Sequence, residues 1–171
     1  MNDNGLSYID LFAGAGGLSE GFIQSGYRPI AHVEMNEYAA RTIETRIAYY
    51  YLKENNNLES YYKYERNEIS REQLLELIPE GELKTVINKE MSETTIKGIF
   101  QTIDTIKAEK EIEQVDVIIG GPPCQAYSLV GRAQSSHMIV PMEDDPRNEL
   151  YKMYVQFLNK YKPRMFVFEN V

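Results

Sequence analysis

The sequence predicts an α/β domain with a mostly parallel sheet and helices on both faces. Short apolar runs typical of strands alternate with stretches that carry apolar residues at helical spacing. The first run, residues 8–12, leads into the small residues 13–17, a pattern typical of a tight turn between a strand and a helix. Two later runs, 115–119 and 165–169, have the uninterrupted apolar character of strands buried on both faces.

The N-terminal third has the pattern of a strand-helix-strand-helix unit. Apolar residues recur at helical spacing after the turn at 13–17, which predicts a first helix. Residues 29–34 then predict a second strand, and residues 37 to about 50 predict a second helix. The chain therefore begins with two βα units.

From about residue 51 to residue 97 the composition shifts towards Asn, Glu, Lys and Tyr, which predicts an insertion. Its clearest element is a helix at 70–78, where Ser70 and Gln73 form a capping-box pattern. The tyrosines of this segment, interleaved with Lys and Arg, have two interpretations: they stack on nucleic-acid bases, or they pack the insertion against the core. The second interpretation is favoured.

Regular structure resumes with a helical stretch near 105–113 and the strand at 115–119, which ends in the loop 120–125. Asn148 can cap a helix that runs to about Tyr161, before the last strand. A parallel sheet normally continues with further crossovers, so we expect the sequence, which stops at Val171, to be cut short.

Composition limits the possible functions. The 171 residues are enough for one hydrophobic core, no apolar run approaches a membrane span, and residues 1–4 do not resemble a signal peptide. We therefore expect a soluble, cytoplasmic protein.

Cys124 is the only cysteine, which excludes an internal disulfide and a multi-thiolate zinc site, and neither His32 nor His137 has metal-ligand spacing. The net charge of -8 has the wrong sign for gripping nucleic acid unaided.

The glycine-rich turn and the end of the second strand together predict a nucleotide-like cofactor. Glycines let backbone N–H groups and a helix N-terminus approach a ligand, and Glu34 stands where such folds use a carboxylate to bind ribose hydroxyls. The turn departs from the G-x-G-x-x-G of NAD enzymes because Ser19 occupies the place of the third glycine. A dehydrogenase is therefore disfavoured.

Four segments in order carry a resemblance to a known family. Residues 10–17 fit Asp-Leu-Phe-x-Gly-x-Gly-Gly, and residues 32–36, 120–128 and 168–171 fit the next motifs of the same family. The sequence resembles C5-cytosine-specific DNA methyltransferases. The resemblance implies a Rossmann-like methyltransferase fold, S-adenosylmethionine as cofactor and double-stranded DNA as partner.

The resemblance also implies the catalytic residues. Cytosine C5 is a poor nucleophile until a group adds at C6, and a thiolate can both add there and leave again. Cys124 takes this role, in a loop rich in backbone N–H groups that favours the thiolate. Glu169 is the expected acid at N3, which holds the charge that develops on the base.

The cofactor residues implied by the resemblance belong to the loops at the strand ends. The family's Gly-Asp-Ile segment, whose Asp contacts the adenine amine, is absent as such, and Asp104 is our expected substitute. The full expected set is Phe12, Ala15, Gly17, Glu34, Met35, Asp104, Pro123 and Leu150.

Three parts of the family have no counterpart in this sequence: an arginine-bearing strand, the target-recognition domain and the last motif, which completes the cofactor pocket. We therefore expect one half of a restriction-modification methyltransferase, a truncated chain or one subunit of a split enzyme. Alone it should bind the cofactor weakly and be inactive, since DNA is engaged through the missing half. The alternatives are a transfer RNA cytosine-5 methyltransferase and a non-catalytic cofactor-binding module.

Overall fold

A computed structural model describes residues 5–122 and 150–169. None of the helices in these two ranges is both long and apolar enough to cross a membrane. In chain order the elements are β1 (Ser7–Leu11), α1 (Gly17–Gln24), β2 (Arg28–Glu34), α2 (Glu37–Glu54), α3 (Leu58–Glu65), α4 (Arg71–Leu75), α5 (Glu80–Leu83), β3 (Val86–Asn88), α6 (Ile96–Glu109), β4 (Val117–Gly120), α7 (Leu150–Tyr161) and β5 (Met165–Phe168).

The five strands form one sheet in the order β3-β2-β1-β4-β5, and every pair is parallel. The central strand β1 places Ile9 opposite Ala31 of β2 and Ile118 of β4. The chain builds outwards from β1 to β3 and then returns to the other side of β1, so the strand order reverses between β1 and β4. Ligands of open α/β sheets bind outside the carboxyl ends of the strands at such a reversal.

Helices cover both faces of the sheet. On one face α6 and α7 pack their apolar sides on the central strands, with Ile99, Ile103 and Phe157 fully buried. On the other face Phe22 of α1 packs against Tyr8, whose hydroxyl is hydrogen-bonded to Ser19. This layering confirms the predicted α/β class with a parallel sheet and helices on both sides.

The elements predicted in the N-terminal third are confirmed, with α2 extending a few residues beyond the expected end to Glu54. The capping box at α4 is also present: the Ser70 hydroxyl accepts from the Gln73 N–H at 3.3 Å, and the Gln73 side chain accepts from the Ser70 N–H at 2.8 Å. Helices α3 to α5 pack on α2 around a small cluster that contains Leu52, Leu74 and Ile78.

Strand β3 and helix α6 differ from what the sequence predicts. Strand β3 lies inside the segment predicted to be an insertion, yet it pairs with β2 and forms one edge of the sheet. It has three residues, of which only Ile87 is buried, so no alternating pattern marks it. Helix α6 begins at Ile96 and not near residue 105, and its buried stripe is Ile96, Ile99, Ile103 and Ile106.

The last strand, β5, has the predicted apolar run, but in this chain it is not covered: Met165 is 48% exposed, Phe166 is 55% exposed and Phe168 is 44% exposed. Among residues 5–122 and 150–169, β5 pairs only with β4 and is therefore an edge strand. An apolar run identifies a strand but not its place in the sheet.

The Gly120→Ala substitution should strongly destabilise the fold. Gly120 has a φ of +111°, and a Cβ there would lie 1.8 Å from the Leu11 carbonyl oxygen, so β1 and β4 would have to separate. We expect a loss of about 3 kcal/mol or more in the free energy of unfolding.

Gly98→Ala in α6 is the matched control, because a Cβ there meets nothing within 4 Å. It should stabilise the protein by about 0.5–1 kcal/mol. Denaturant unfolding measures both, and equal stability of the two variants would contradict this account.

Candidate cofactor and catalytic site

A cavity of about 820 Å³ opens at the carboxyl edge of the sheet, where all five strands end. The residues that follow each strand contribute to its wall, as the parallel topology requires. Five residues selected from the sequence line it together: Phe12, Glu34, Met35, Leu150 and Glu169.

The loop between β1 and α1 has an unusual backbone. Phe12, Gly14 and Gly16 have φ angles of 55°, 54° and 79°, in the left-handed region. Glycine adopts this region freely, whereas it is uncommon for a residue such as phenylalanine. The turn directs the N-terminus of α1 towards the cavity edge, and the first N–H groups of α1 have no side-chain cap. Ala15 lies in this loop, and Gly17 is the first residue of α1. Neither is among the residues that line the cavity.

Glu34 holds the loop in this conformation. One of its carboxylate oxygens accepts from the Gly14 N–H at 2.7 Å, and the other accepts from the Asn36 N–H at 2.7 Å. The side chain is the last of β2 and is 9% exposed. Each oxygen has a second lone pair, so the carboxylate can still accept hydrogen bonds from two hydroxyl groups of a ligand.

Asp10 is a cavity residue to which the sequence analysis assigned no role. It is 1% exposed and lines the cavity, and its carboxylate lies 3.4 Å from the His32 ring. Burial raises the pKa of the Asp10 carboxyl, and the charges of Glu34 and Glu169 act in the same direction. A raised pKa favours the neutral form of Asp10, so the negative charge at the cavity comes from Glu34 and Glu169. The three carboxyl groups do not form a metal-binding group, and none occurs elsewhere in the two described ranges.

Glu169 follows β5 and joins the rim through its backbone. Its N–H donates to the Gly120 carbonyl oxygen at 3.2 Å, and a Cβ on Gly121 would lie 1.6 Å from the Glu169 carbonyl oxygen. Only glycine permits this approach. Pro122 also lines the cavity. Pro123 and Cys124 lie outside the described residues, so their roles stay predictions.

Asp104 is not brought to the cavity. Its carboxylate accepts from the Lys160 ammonium at 2.7 Å and from the Tyr161 hydroxyl at 3.2 Å, near the end of α7 that precedes β5. That end lies towards the opposite edge of the sheet from the cavity. The geometry therefore gives no support to the predicted contact of Asp104 with the adenine amine.

The segment after β3 lines the cavity, unlike Asp104. Residues 89–93 line the cavity and include the carboxylate of Glu90 and the buried side chain of Met91. The sequence did not point to residues 89–93, because the short strand β3 that precedes them was not predicted. The available signal was Val86 and Ile87 followed closely by an acidic residue, which is the same strand-then-carboxylate pattern as at Glu34.

Comparison with known proteins identifies the family. The family described as C-5 cytosine-specific DNA methylase matches residues 6–76 and 82–171. The chain belongs to this family. The resemblance found in the sequence motifs is therefore confirmed.

Relatives of this methylase chain are named as type II methyltransferases. One from Bacillus paralicheniformis is 41% identical, and the alignment covers 95% of this chain and 40% of the relative. One from Methanocaldococcus jannaschii, whose type II methyltransferase name is provisional, is 31% identical over 97% of this chain and 48% of its own length. One from Haemophilus parahaemolyticus is 28% identical over 97% of this chain and 32% of its own length. The methylase chain thus spans less than half of each relative.

A contact from α2 ties down the glycine-rich loop between β1 and α1. Arg46 donates through Nε to the Ala15 carbonyl oxygen at 3.0 Å and through its terminal nitrogen to Glu20 at 2.8 Å. Tyr50 also donates to Glu20. One guanidinium therefore links α2, the glycine-rich loop and the first turns of α1.

Replacing Arg46 with alanine should loosen the loop. We expect a loss of about 1 kcal/mol in the free energy of unfolding, because two hydrogen bonds of a half-exposed cation disappear. Amide hydrogen exchange within residues 13–17 should become faster. Arg66→Ala is the control, since Arg66 also has two carboxylate partners, Glu59 and Glu68, but lies far along the chain from the loop. Unchanged exchange in the Arg46 variant would show that the guanidinium does not hold the loop.

Proposed function

We propose that these residues form the cofactor-binding and catalytic part of a DNA (cytosine-5)-methyltransferase of a restriction-modification system. The observation that carries this proposal is the convergence of Phe12, Glu34 and Glu169, from three separate family motifs, on one cavity. Because the chain spans less than half of its relatives, the activity is proposed for the protein together with the remaining part of such an enzyme.

S-adenosylmethionine fits the chemistry of this cavity. Glu34 is the acceptor for the ribose hydroxyls, and Phe12 and Met35 supply apolar surface for the adenine ring. We assign the adenine amine to Glu90 in place of Asp104. A volume of about 820 Å³ lies in the usual range for such sites.

The charge of the cavity also suits this cofactor. The carboxylates of Glu34 and Glu169 provide negative charge at the cavity, where a sulfonium and an ammonium group need it. When bound, S-adenosylmethionine supplies an electrophilic methyl group. Ala15 and Gly17 act through the backbone of their loop, and Leu150 and Pro123 complete the apolar wall in this proposal.

Cys124 activates the base. Its thiolate forms a bond to C6 of a flipped-out cytosine, the electrons of the C5–C6 double bond move towards C5 and the ring, and C5 becomes nucleophilic. Once C5 carries the methyl group and has lost its proton, elimination breaks the bond between C6 and Cys124 and releases the thiolate. Glu169 donates a hydrogen bond or proton at N3 and so holds the charge that the attack moves onto the ring.

Double-stranded DNA is the proposed substrate. A base must leave the duplex before a thiolate can reach C6, and this costs a few kcal/mol that contacts to DNA must offset. The net charge of -8 makes this chain a poor source of such contacts. We therefore assign DNA recognition to the part of the enzyme that these residues do not include, on one polypeptide or on a second subunit, in the cytoplasm.

Transfer of labelled methyl groups to duplex DNA tests the proposal. We expect none from the 171-residue chain alone and clear transfer when it is joined to the part of the Bacillus relative outside the aligned region. Cys124→Ser should reduce the rate of the joined protein to below about a thousandth, because a hydroxyl is a weak nucleophile near neutral pH. Glu169→Ala should reduce it about a hundredfold.

Two controls separate chemistry from folding. Glu109→Ala, on the exposed end of α6 at the opposite edge of the sheet, should leave the rate unchanged. Calorimetric titration should show that Cys124→Ser still binds S-adenosylmethionine, whereas Glu34→Ala should bind at least about tenfold more weakly because two ribose hydroxyls lose their acceptor. Full methyl transfer by the Cys124→Ser protein would overturn the mechanism.

A further inference from the structure

The glycine-rich loop between β1 and α1 is held from two sides. On the side of β2, the Gly14 N–H donates to Glu34. On the side of α2, the Ala15 carbonyl oxygen accepts from Nε of Arg46 at 3.0 Å. The two anchors bind adjacent residues of the loop, but Glu34 lines the cofactor cavity and Arg46 does not. A ligand in that cavity can therefore touch Glu34, whereas Arg46 acts on it through the loop.

The loop also lies directly against α2. A Cβ on Gly16 would be 3.4 Å from Cγ1 of Ile43 and 3.5 Å from Cδ of Arg46, which is ordinary contact distance. The stem of Arg46 therefore packs beside the backbone of the loop, while its guanidinium binds the Ala15 carbonyl. A movement of the loop away from α2 breaks both contacts.

Two side chains fix the guanidinium of Arg46 in place. Its terminal nitrogen donates to one oxygen of Glu20 at 2.8 Å, and the other Glu20 oxygen accepts from the Tyr50 hydroxyl. Although partial burial acts to raise it, the hydrogen bond from Tyr50 and the charge of Arg46 hold the pKa of Glu20 below its usual value. Glu20 is therefore ionised near neutral pH and keeps its hold on Arg46.

A tyrosine of the predicted insertion reaches the same cluster. Tyr50 meets Tyr49 edge to face with ring centroids 5.2 Å apart, and Tyr49 meets Tyr61 of α3 in the same manner at 5.1 Å. Tyr61 also packs on the hydrophobic cluster that contains Leu52. It thus packs the insertion on α2, the helix that carries Arg46, in agreement with the favoured interpretation of these tyrosines.

We propose that Arg46 is a positioning residue for cofactor binding and that α3 supports it through Tyr49 and Tyr61. Three of the residues 12–16 have left-handed φ angles, so the loop depends on outside contacts to keep its shape before a ligand binds. The apparent affinity of a ligand that needs this shape falls with the fraction of molecules that have it. Arg46 raises that fraction without touching the ligand. This inference rests on the proposed S-adenosylmethionine site.

Calorimetric titration of the 171-residue protein with S-adenosylhomocysteine tests the proposal. Arg46→Ala should weaken binding about fivefold, because the loop loses one of its two anchors. Arg46→Lys keeps the charge, but its single terminal nitrogen cannot hold Ala15 and Glu20 as a guanidinium fork does, so its affinity should stay close to that of Arg46→Ala. Arg66→Ala is the control, because Arg66 is similarly exposed and pairs with two carboxylates away from the loop.

Methyl transfer by the joined protein separates positioning from general damage to the fold. Because Arg46 does not line the cofactor cavity, Arg46→Ala should raise the KM for S-adenosylmethionine about fivefold and leave kcat within about twofold once the cofactor saturates. A fold that is weakened in general would lower kcat instead, because part of the enzyme would be inactive.

A double-mutant cycle tests the contribution of α3. Tyr61→Leu alone should weaken binding of S-adenosylhomocysteine about twofold, and it should add nothing to Arg46→Ala, because both changes act on the same loop. Tyr62→Leu is the control, since this neighbouring ring is 45% exposed and its loss should change nothing.

Glu34→Ala distinguishes failure of this proposal from failure of the proposed function. If the unchanged protein does not bind S-adenosylhomocysteine, or if Glu34→Ala binds it equally well, the cofactor site is wrong and the role of Arg46 falls with it. If Glu34→Ala weakens binding and Arg46→Ala does not, the cofactor site stands and the positioning role is overturned. Full affinity in Arg46→Lys would also overturn that role, and additive losses from Tyr61→Leu and Arg46→Ala would overturn the role of α3.

Discussion

The carboxyl edge of the sheet depends on the side chain of Glu34. Its two oxygens accept from the N–H groups of Gly14 and Asn36, so one carboxylate joins the loop after β1 to the turn after β2. This link holds a loop in which three of the five residues 12–16 have left-handed φ angles, among them the non-glycine Phe12. The same carboxylate is the proposed ribose acceptor, so the group that holds the loop is also the one proposed to bind the ligand.

Close backbone packing completes this edge on the other side of β1. Gly120 lies against the Leu11 carbonyl, and Gly121 lies against the Glu169 carbonyl, which brings the end of β5 close to the end of β4. The two glycines serve geometry, since any side chain there would separate the strands. The carboxylates of Glu34 and Glu169 line the same cavity, and their negative charge favours a cationic ligand over a neutral one.

The sequence predicted those parts of the fold that depend on local pattern. The glycine-rich turn, the position of Glu34 at a strand end and the Ser70 capping box each follow from a few neighbouring residues, and all three are present. Strand β3 was missed because a three-residue edge strand is stabilised by its pairing with β2. The ion pair of Asp104 with Lys160 could not be predicted for a related reason, since it joins segments 56 positions apart. The exposure of β5 likewise depends on its neighbours in the sheet and not on its own apolar residues.

The most direct test of this account is a crystal structure with S-adenosylhomocysteine, the product that lacks the transferred methyl group. The account predicts that its ribose hydroxyls lie within hydrogen-bonding distance of Glu34, its adenine lies between Phe12 and the segment after β3, and its sulfur faces the ends of β4 and β5. A ribose located away from Glu34 would contradict the central claim that the carboxyl edge is the cofactor site.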